Sequence, residues 1–359
     1  MAPRILILTA SVGEGHDLPA RTLAAQLRVE RPDVEVITED CLPAMGWTVS
    51  RMSESAARVV FYRFLWLWDV GFWVFAGFAL TRRATQFALT RFGSRGLLRL
   101  IDERKPDIVV SVYPQATEVL GRLRKAGRLR IPLCAVITDL AGLRYWATPG
   151  ADIHLVTHPE SIEEVRRIAG KDATVHCVHG FTAPEFLTPR EPVDARRVLD
   201  LDPRAKIVLV SGGGWGVGDV EGAVREVLDV DGVSQVVCLC GRNEELLNQL
   251  VRDFVDEPRV RVEPFTDQMP EWLAAADALV HSTGGLTVLE ALMRGCPAIS
   301  YGWGRGHVRQ HNRAFTRFGL AQVAATPSAL RAAVAAALTE ERLAVDFSGL
   351  PSAASFVLA

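Results

Sequence analysis

Short, unbroken apolar runs recur along this chain, and each gives way to a turn and then to helical periodicity. Such runs occupy residues 5–8, 108–112, 133–137 and 207–211, with further ones at 153–157, 175–179, 236–240 and 278–280. A strand that is apolar on both faces belongs inside a parallel sheet covered by helices, so strand–helix alternation of this kind implies βαβ crossovers. The pattern starts twice, at residue 5 and again at residue 207. Between the two starts, residues 181–203 are rich in proline and charge. The expected organisation is α/β, with two doubly wound domains at 1–185 and 204–340, a linker at 186–203 and a tail at 341–359. The 359 residues suit two domains of ordinary size.

Three turns carry candidate chemistry. In the stretch 277–312, Ser282, Thr283, Gly284 and Gly285 follow a strand and open an apolar helix. A glycine pair there lets backbone approach a ligand, and the N–H groups and dipole of the helix favour phosphate. Glu290 lies further along the same helix. A carboxylate suits a sugar diol, because it accepts from two hydroxyls. The bland reading is an ordinary strand–helix–strand turn with a surface glutamate. A polar cluster follows the next strand: Arg305, His307, Arg309, Gln310, His311 and Asn312. The second turn, residues 212–218, holds Gly213 and Gly214 and is a candidate for the phosphate side or the acceptor side. The third is the first in the chain, Ser11 to His16, with Gly13 and Gly15. It is not a GxGxxG loop, so a dinucleotide is weakly supported. His16 stands where the helix begins and can face the crevice as a proton acceptor, or serve only as a helix cap or a surface residue. Asp139 ends another strand, on the same side as His16 if the sheet is parallel.

A net charge of −2 argues against a general nucleic-acid binder. Six cysteines form no CxxC pair and sit mostly in apolar runs, as reduced buried thiols of a cytosolic protein do. Residues 61–80 are the anomaly. They hold nine aromatic side chains, Trp66, Trp68 and Trp73 among them, with only Arg63 and Asp69 charged. Arg82, Arg83, Arg91, Arg95 and Arg99 follow. A spanning helix needs about 20 apolar residues. The central Asp69, the glycines and the tryptophans favour an in-plane, interfacial insertion whose arginines meet anionic headgroups. A packed helix pair in the first domain is the alternative.

The loop TASVGEGH at 9–16 resembles the N-terminal signature of the monogalactosyldiacylglycerol synthases and processive diacylglycerol glucosyltransferases, and is also similar to that of the muramyl-lipid N-acetylglucosaminyltransferase. The segments LVSGGGWGVG, VEPFTDQMPEWLAAAD, STGGLTVLEALMRGCP and RGHVRQHN extend the likeness over essentially the whole chain. The resemblance implies GT-B architecture, two facing Rossmann-like domains with the nucleotide-sugar donor on the second. It implies Gly284 and Gly285 against the diphosphate, with Ser282, Gly213 and Gly214 also on the donor side. It further implies Glu290 on the ribose, Gln310 and Asn312 on the sugar, and uracil held by the backbone of the Phe265 loop. His16 would be the base or an acceptor-site group. Glu14 interrupts the family's first loop, and the segment before Gln310 lacks the usual proline–glycine–glutamine form. The expected activity is hexose transfer from a UDP-sugar to a diacylglycerol-like or other hydrophobic hydroxyl. No cofactor and no obligatory metal are expected. The enzyme would sit peripherally on the cytoplasmic face of the membrane, with anionic lipid but no nucleic acid as a partner. Retaining GT-B enzymes commonly carry two glutamates eight apart in this motif. Here the position eight before Glu290 is Ser282, so inversion is expected. The rivals are a sugar-nucleotide epimerase of the same fold and a non-catalytic nucleotide-sugar-binding protein.

Overall fold

The structure, a computed structural model, describes residues 2–11, 14–46, 79–302 and 307–357. Gly13, Trp66, Trp68 and Trp73 lie outside the described residues. The chain forms two compact units, 1–183 together with 348–359, and 184–347.

The first unit begins with β1 (Arg4–Thr9), α1 (Glu14–Glu30), β2 (Glu35–Asp40) and α2 (Cys41–Met45). It resumes with α3 (Ala79–Arg104), β3 (Ile108–Ser111), α4 (Pro114–Lys125), β4 (Leu133–Ile137) and the short α5 (Leu143–Trp146). β5 (Ile153–Val156), α6 (Ile162–Ala169) and β6 (Thr174–Cys177) complete its sheet. All pairings are parallel, in the order β2-β1-β3-β4-β5-β6. The apolar runs become central strands: Ile5, Leu6, Ile7 and Leu8 are fully buried. Leu23 and Leu27 of α1 cover one face, and Leu42, Met45 and Leu97 cover the other.

The second unit contains α7 (Pro192–Val198), β7 (Ile207–Ser211), α8 (Val220–Leu228), β8 (Gln235–Leu239), α9 (Glu244–Asp253) and β9 (Val260–Glu263). α10 (Met269–Ala275), β10 (Ala278–His281), α11 (Gly285–Met293), β11 (Ala298–Tyr301), α12 (His307–Phe318), β12 (Gln322–Ala324) and α13 (Pro327–Ala337) follow. Its order is β12-β11-β10-β7-β8-β9, again all parallel. Read from β7 this is the dinucleotide-fold order 3-2-1-4-5-6.

Two boundaries differ from those expected. Residues 186–203 are part of the second unit. Arg196 on α7 donates to the carbonyl oxygens of Ala275 and Pro203, and its guanidinium pairs with Asp277 at 2.8 Å. Both side chains of that pair are largely buried, so the segment is fixed by charge-assisted bonds that only folding could reveal. The expected tail is divided. Residues 348–359 return to the first unit, where α14 (Ala353–Val357) sets Ala353, Ala354 and Val357 against Leu23 and Leu27. The His179 N–H donates to the Pro351 carbonyl, and the Ala353 N–H to that of His179. The six cysteines are free thiols, five of them buried and Cys177 half-buried. Among the described residues, no helix is long and apolar enough to cross a membrane.

Candidate functional site

In an open parallel sheet, ligands gather at the carboxyl ends of the strands where the order reverses. In the first unit β1 lies beside β3 there, and this brings His16 to Val112. His16 occupies the first turn of α1, and its Nδ1 is 3.1 Å from the Val112 carbonyl oxygen. A carbonyl oxygen only accepts, so in the neutral ring Nδ1 carries the proton and Nε2 holds the lone pair. Tyr113 packs edge-on against the imidazole at 5.1 Å, and Trp146 tilts over it at 5.6 Å. Burial pushes the His16 pKa below 6.5, against the opposing pull of Asp139, the Val112 carbonyl and Asp17. The imidazole is therefore neutral at pH 7 and able to take a proton.

Asp139 is thus close enough to act on His16 electrostatically, as expected from the ends of β1 and β4. Thr138 helps to set this arrangement, its hydroxyl donating to the Gly15 carbonyl at 3.2 Å. Glu14 pairs with Arg21 at 2.7 Å. The acid at hand to raise the imidazole pKa from within α1 is Asp17, which also accepts from the Thr9 hydroxyl at 2.8 Å.

In the second unit the corresponding reversal lies between β7 and β10. The turn after β7 and the turn after β10 lock together there. The Ser282 hydroxyl donates to the Val217 carbonyl, so it is spent on holding the glycine loop. Gly213 has φ +71°, and a Cβ there would lie 2.8 Å from Thr283 Cγ2. The position therefore requires glycine for both conformation and close approach. Gly284 caps α11 in an extended conformation, with no side-chain hydrogen bond to the first turn. The leading N–H groups of α11 are left for an anion.

Glu290 is on the buried side of α11, with 7% of its surface exposed. Burial alone pushes its pKa up to about 8, and no hydrogen-bond donor among the described residues reaches its carboxylate. This is not the surface glutamate of the bland reading. Phe265 is exposed, and the Arg242 guanidinium lies 3.6 Å from its ring centroid. That contact came from a residue the sequence did not single out, and a planar cation over a ring extends the flat surface next to the loop.

Gln310 and Asn312 both lie on α12. Two residues apart on α12 they point about 200° away from each other. Gln310 is half-buried. Asn312 turns inward, its Oδ1 accepting from the Ser300 hydroxyl at 2.6 Å. One further residue escaped sequence reasoning. His281, at the end of β10, is buried, and its Nδ1 takes both the Thr283 N–H and the Thr283 hydroxyl, at 3.2 and 2.9 Å. Burial, with His311 nearby, lowers its pKa to about 3, so it stays neutral and braces the turn before Gly284. A polar residue closing an apolar strand was the available signal. Trp146 stands where the resembled family carries a tryptophan in its acceptor region, after Leu143, Arg144 and Tyr145, but its packing against His16, 130 residues away in sequence, comes from the fold.

Residues 16–180 match a family model for monogalactosyldiacylglycerol (MGDG) synthase. Residues 207–345 match the glycosyltransferase family 28 C-terminal domain. A processive diacylglycerol beta-glucosyltransferase of Staphylococcus epidermidis is 26% identical over 339 residues, spanning 90% of this chain and 82% of its own. A protein of the same description from Staphylococcus aureus is 25% identical over 328 residues, with the same coverage. Among solved structures, the glycosyltransferase SnogD of Streptomyces nogalater superposes with a TM-score of 0.57 at 17% identity, covering 100% of this chain and 98% of its own. MurG of Acinetobacter baumannii superposes at 0.53 and 15% identity, covering 95% and 96%. These likenesses show the GT-B fold.

Proposed function

With one unit resembling the monogalactosyldiacylglycerol synthases and the other the family 28 glycosyltransferases, we propose that this chain is an inverting glycosyltransferase moving a hexose from a UDP-sugar to a diacylglycerol-like hydroxyl. The observation that carries the donor half is the buried, unpartnered Glu290 carboxylate on a helix whose N-terminus has no side-chain cap. A ribose diol would donate both hydroxyls to that carboxylate, and the diphosphate would meet the N–H groups of Gly284, Gly285 and Leu286. Gly213 and Gly214 line the approach. The backbone of the Phe265 loop takes the uracil, and Gln310 the sugar.

In the transfer, the acceptor oxygen attacks the anomeric carbon while the bond from that carbon to the diphosphate oxygen breaks. The acceptor proton passes to Nε2 of His16, whose Nδ1–H is held by Val112, and Asp139 favours the resulting imidazolium. The negative charge that develops on the leaving UDP is stabilised by the α11 N-terminus, with no obligatory metal. Glu14, engaged by Arg21, takes no part in the proton transfer. The processive diacylglycerol beta-glucosyltransferases at about 26% identity support diacylglycerol as the acceptor class. A lipid acceptor requires access to a bilayer. We place the protein peripherally on the cytoplasmic membrane face, with Trp66, Trp68 and Trp73 at the interface and anionic lipid attracting the neighbouring arginines.

The test is UDP release by purified protein given a UDP-hexose, with and without vesicles containing diacylglycerol. Release that depends on diacylglycerol and yields a glycolipid is the expected result. An isomerised sugar nucleotide without lipid would instead identify an epimerase, and binding without any product a non-catalytic protein.

A further inference from the structure

α5 is four residues long, and its last residue, Trp146, lies over the imidazole of His16. A helix of one turn does not hold its own geometry in water, so its neighbours must hold it. Toward the sheet, Leu143 and Trp146 pack with Ile137, Val156 and Val165. Toward α3 and α4, the contacts are polar. Gln86 of α3 is buried and uses both ends of its amide. Its Oε1 accepts from the Arg122 guanidinium of α4 at 3.2 Å, and its Nε2 donates to the Arg144 carbonyl of α5 at 3.5 Å. Glu118 of α4, 5% exposed, accepts from the same guanidinium and from Gln86. Burial raises the Glu118 pKa above 4.5, against the pull of Arg122 and Gln86. α4 also meets the chain leaving α5 closely, since a Cβ on Gly121 would overlap the Thr148 hydroxyl.

Taking a carboxylate out of water between three helices costs stability, and apolar contacts of the same volume would cost less. What such a network supplies is direction. Its bonds are made in one arrangement of α3, α4 and α5 and are broken in others. α4 and α5 carry the two rings that pack on His16, Tyr113 at the head of α4 and Trp146 at the end of α5. The Val112 carbonyl, Asp17 of α1 and Asp139 after β4 also act on that imidazole.

From this we propose that Gln86 and Glu118 are positioning residues for the transfer. By joining α3, α4 and α5 they keep Tyr113 and Trp146 closed on His16, and so keep its imidazole dry and aligned for the acceptor proton. The inference rests on the reading of His16 as the base, and the two residues act through His16 rather than on substrate.

The His16 pKa is measured in the full, unliganded chain by NMR titration of its imidazole, with kcat, donor KM and urea unfolding beside it. The variants are Gln86→Leu, Glu118→Ala, Glu118→Gln and, as control, Asp152→Ala. The control breaks the ion pair with Arg124 and the bond from the Leu133 N–H, at the opposite end of β4 from Asp139. It loosens the same unit away from His16. Gln86→Leu and Glu118→Ala are expected to admit water to His16, so that its pKa rises toward 6.5 and the acid limb of kcat moves with it. In both, kcat is expected to fall roughly tenfold or more with donor KM unchanged. Glu118→Gln still accepts from Arg122 and is expected to stay within about threefold of wild type. Asp152→Ala is expected to lower stability without moving the His16 pKa. A raised pKa with kcat unchanged would support the positioning and remove His16 as the base. A His16 pKa equal to wild type in folded Gln86→Leu and Glu118→Ala would overturn the inference, as would an equal rise in Asp152→Ala. If Glu118→Ala unfolds, Gln86→Leu decides, and its unfolding too would reduce the network to support of the fold and overturn the inference.

Discussion

Replacing Glu290 with Gln tests the donor site through its proton. The free protein holds this carboxyl at a pKa of about 8, and burial is the cause. At pH 7 about one tenth of it is ionised. A ribose diol donates to both oxygens only when the carboxylate is ionised, and such bonds pull the pKa back down. UDP-glucose binding at pH 7 should therefore release close to one proton, seen as a binding heat that changes with the ionisation enthalpy of the buffer. Affinity should rise about tenfold between pH 7 and pH 9, as the competent form goes from about a tenth to about nine tenths of the protein. Glu290→Gln should abolish the proton release and the pH dependence, and weaken binding by about 1–3 kcal/mol. The same substitution has an opposite effect on stability. Between pH 4.5 and about 8 the folded, unliganded protein holds a proton at Glu290 that the unfolded chain has lost. The contribution of Glu290 to stability is therefore greatest below pH 4.5 and declines as pH rises toward 8. At about 1.4 kcal/mol per pH unit the decline approaches about 5 kcal/mol as an upper bound. Gln carries no such titration, so urea unfolding at pH 8 should find the variant more stable than wild type while it binds donor less well. Affinity that is flat from pH 7 to pH 9, with no proton release and no loss in the variant, would refute the assignment.

His16→Ala should keep donor affinity and lose about a hundredfold or more in kcat. At saturating donor, the acid limb of wild-type kcat should lie below pH 6.5, because the base must be neutral and burial holds its pKa down. Glu14→Gln, which removes only the partner of Arg21, should lose far less; a dead Asp139→Asn beside a normal His16→Ala would move the base to Asp139. Replacing Trp66, Trp68 and Trp73 with Ser should shift the protein from the membrane to the soluble fraction with its melting temperature unchanged, whereas a variant that unfolds would put the stretch in a core.

Much of the architecture could be read from single segments. Residues 5–8 and 207–211 are apolar on both faces, and only a sheet covered on both sides accommodates them, so two doubly wound sheets followed. The glycine turns could be read because φ above zero and close backbone approach leave few other residues suitable, as at Gly213. The order of the strands then placed His16 and Asp139 at the same end of one sheet. What stayed hidden depends on partners far away in sequence. The burial that raises the Glu290 pKa, the Val112 carbonyl that fixes the His16 tautomer, and Trp146 over its ring all come from packing between elements. The inward turn of Asn312 depends on Ser300 in a neighbouring strand. Residues 186–203 read as a linker because proline and charge are local signals, and the bonds Arg196 makes to Ala275 and Asp277 are not. The sequence alone thus determined periodicity and turn chemistry, which act between near neighbours. Tertiary structure alone decided which polar groups are buried, paired or left waiting for a ligand, because desolvation is set by every atom that packs around a group.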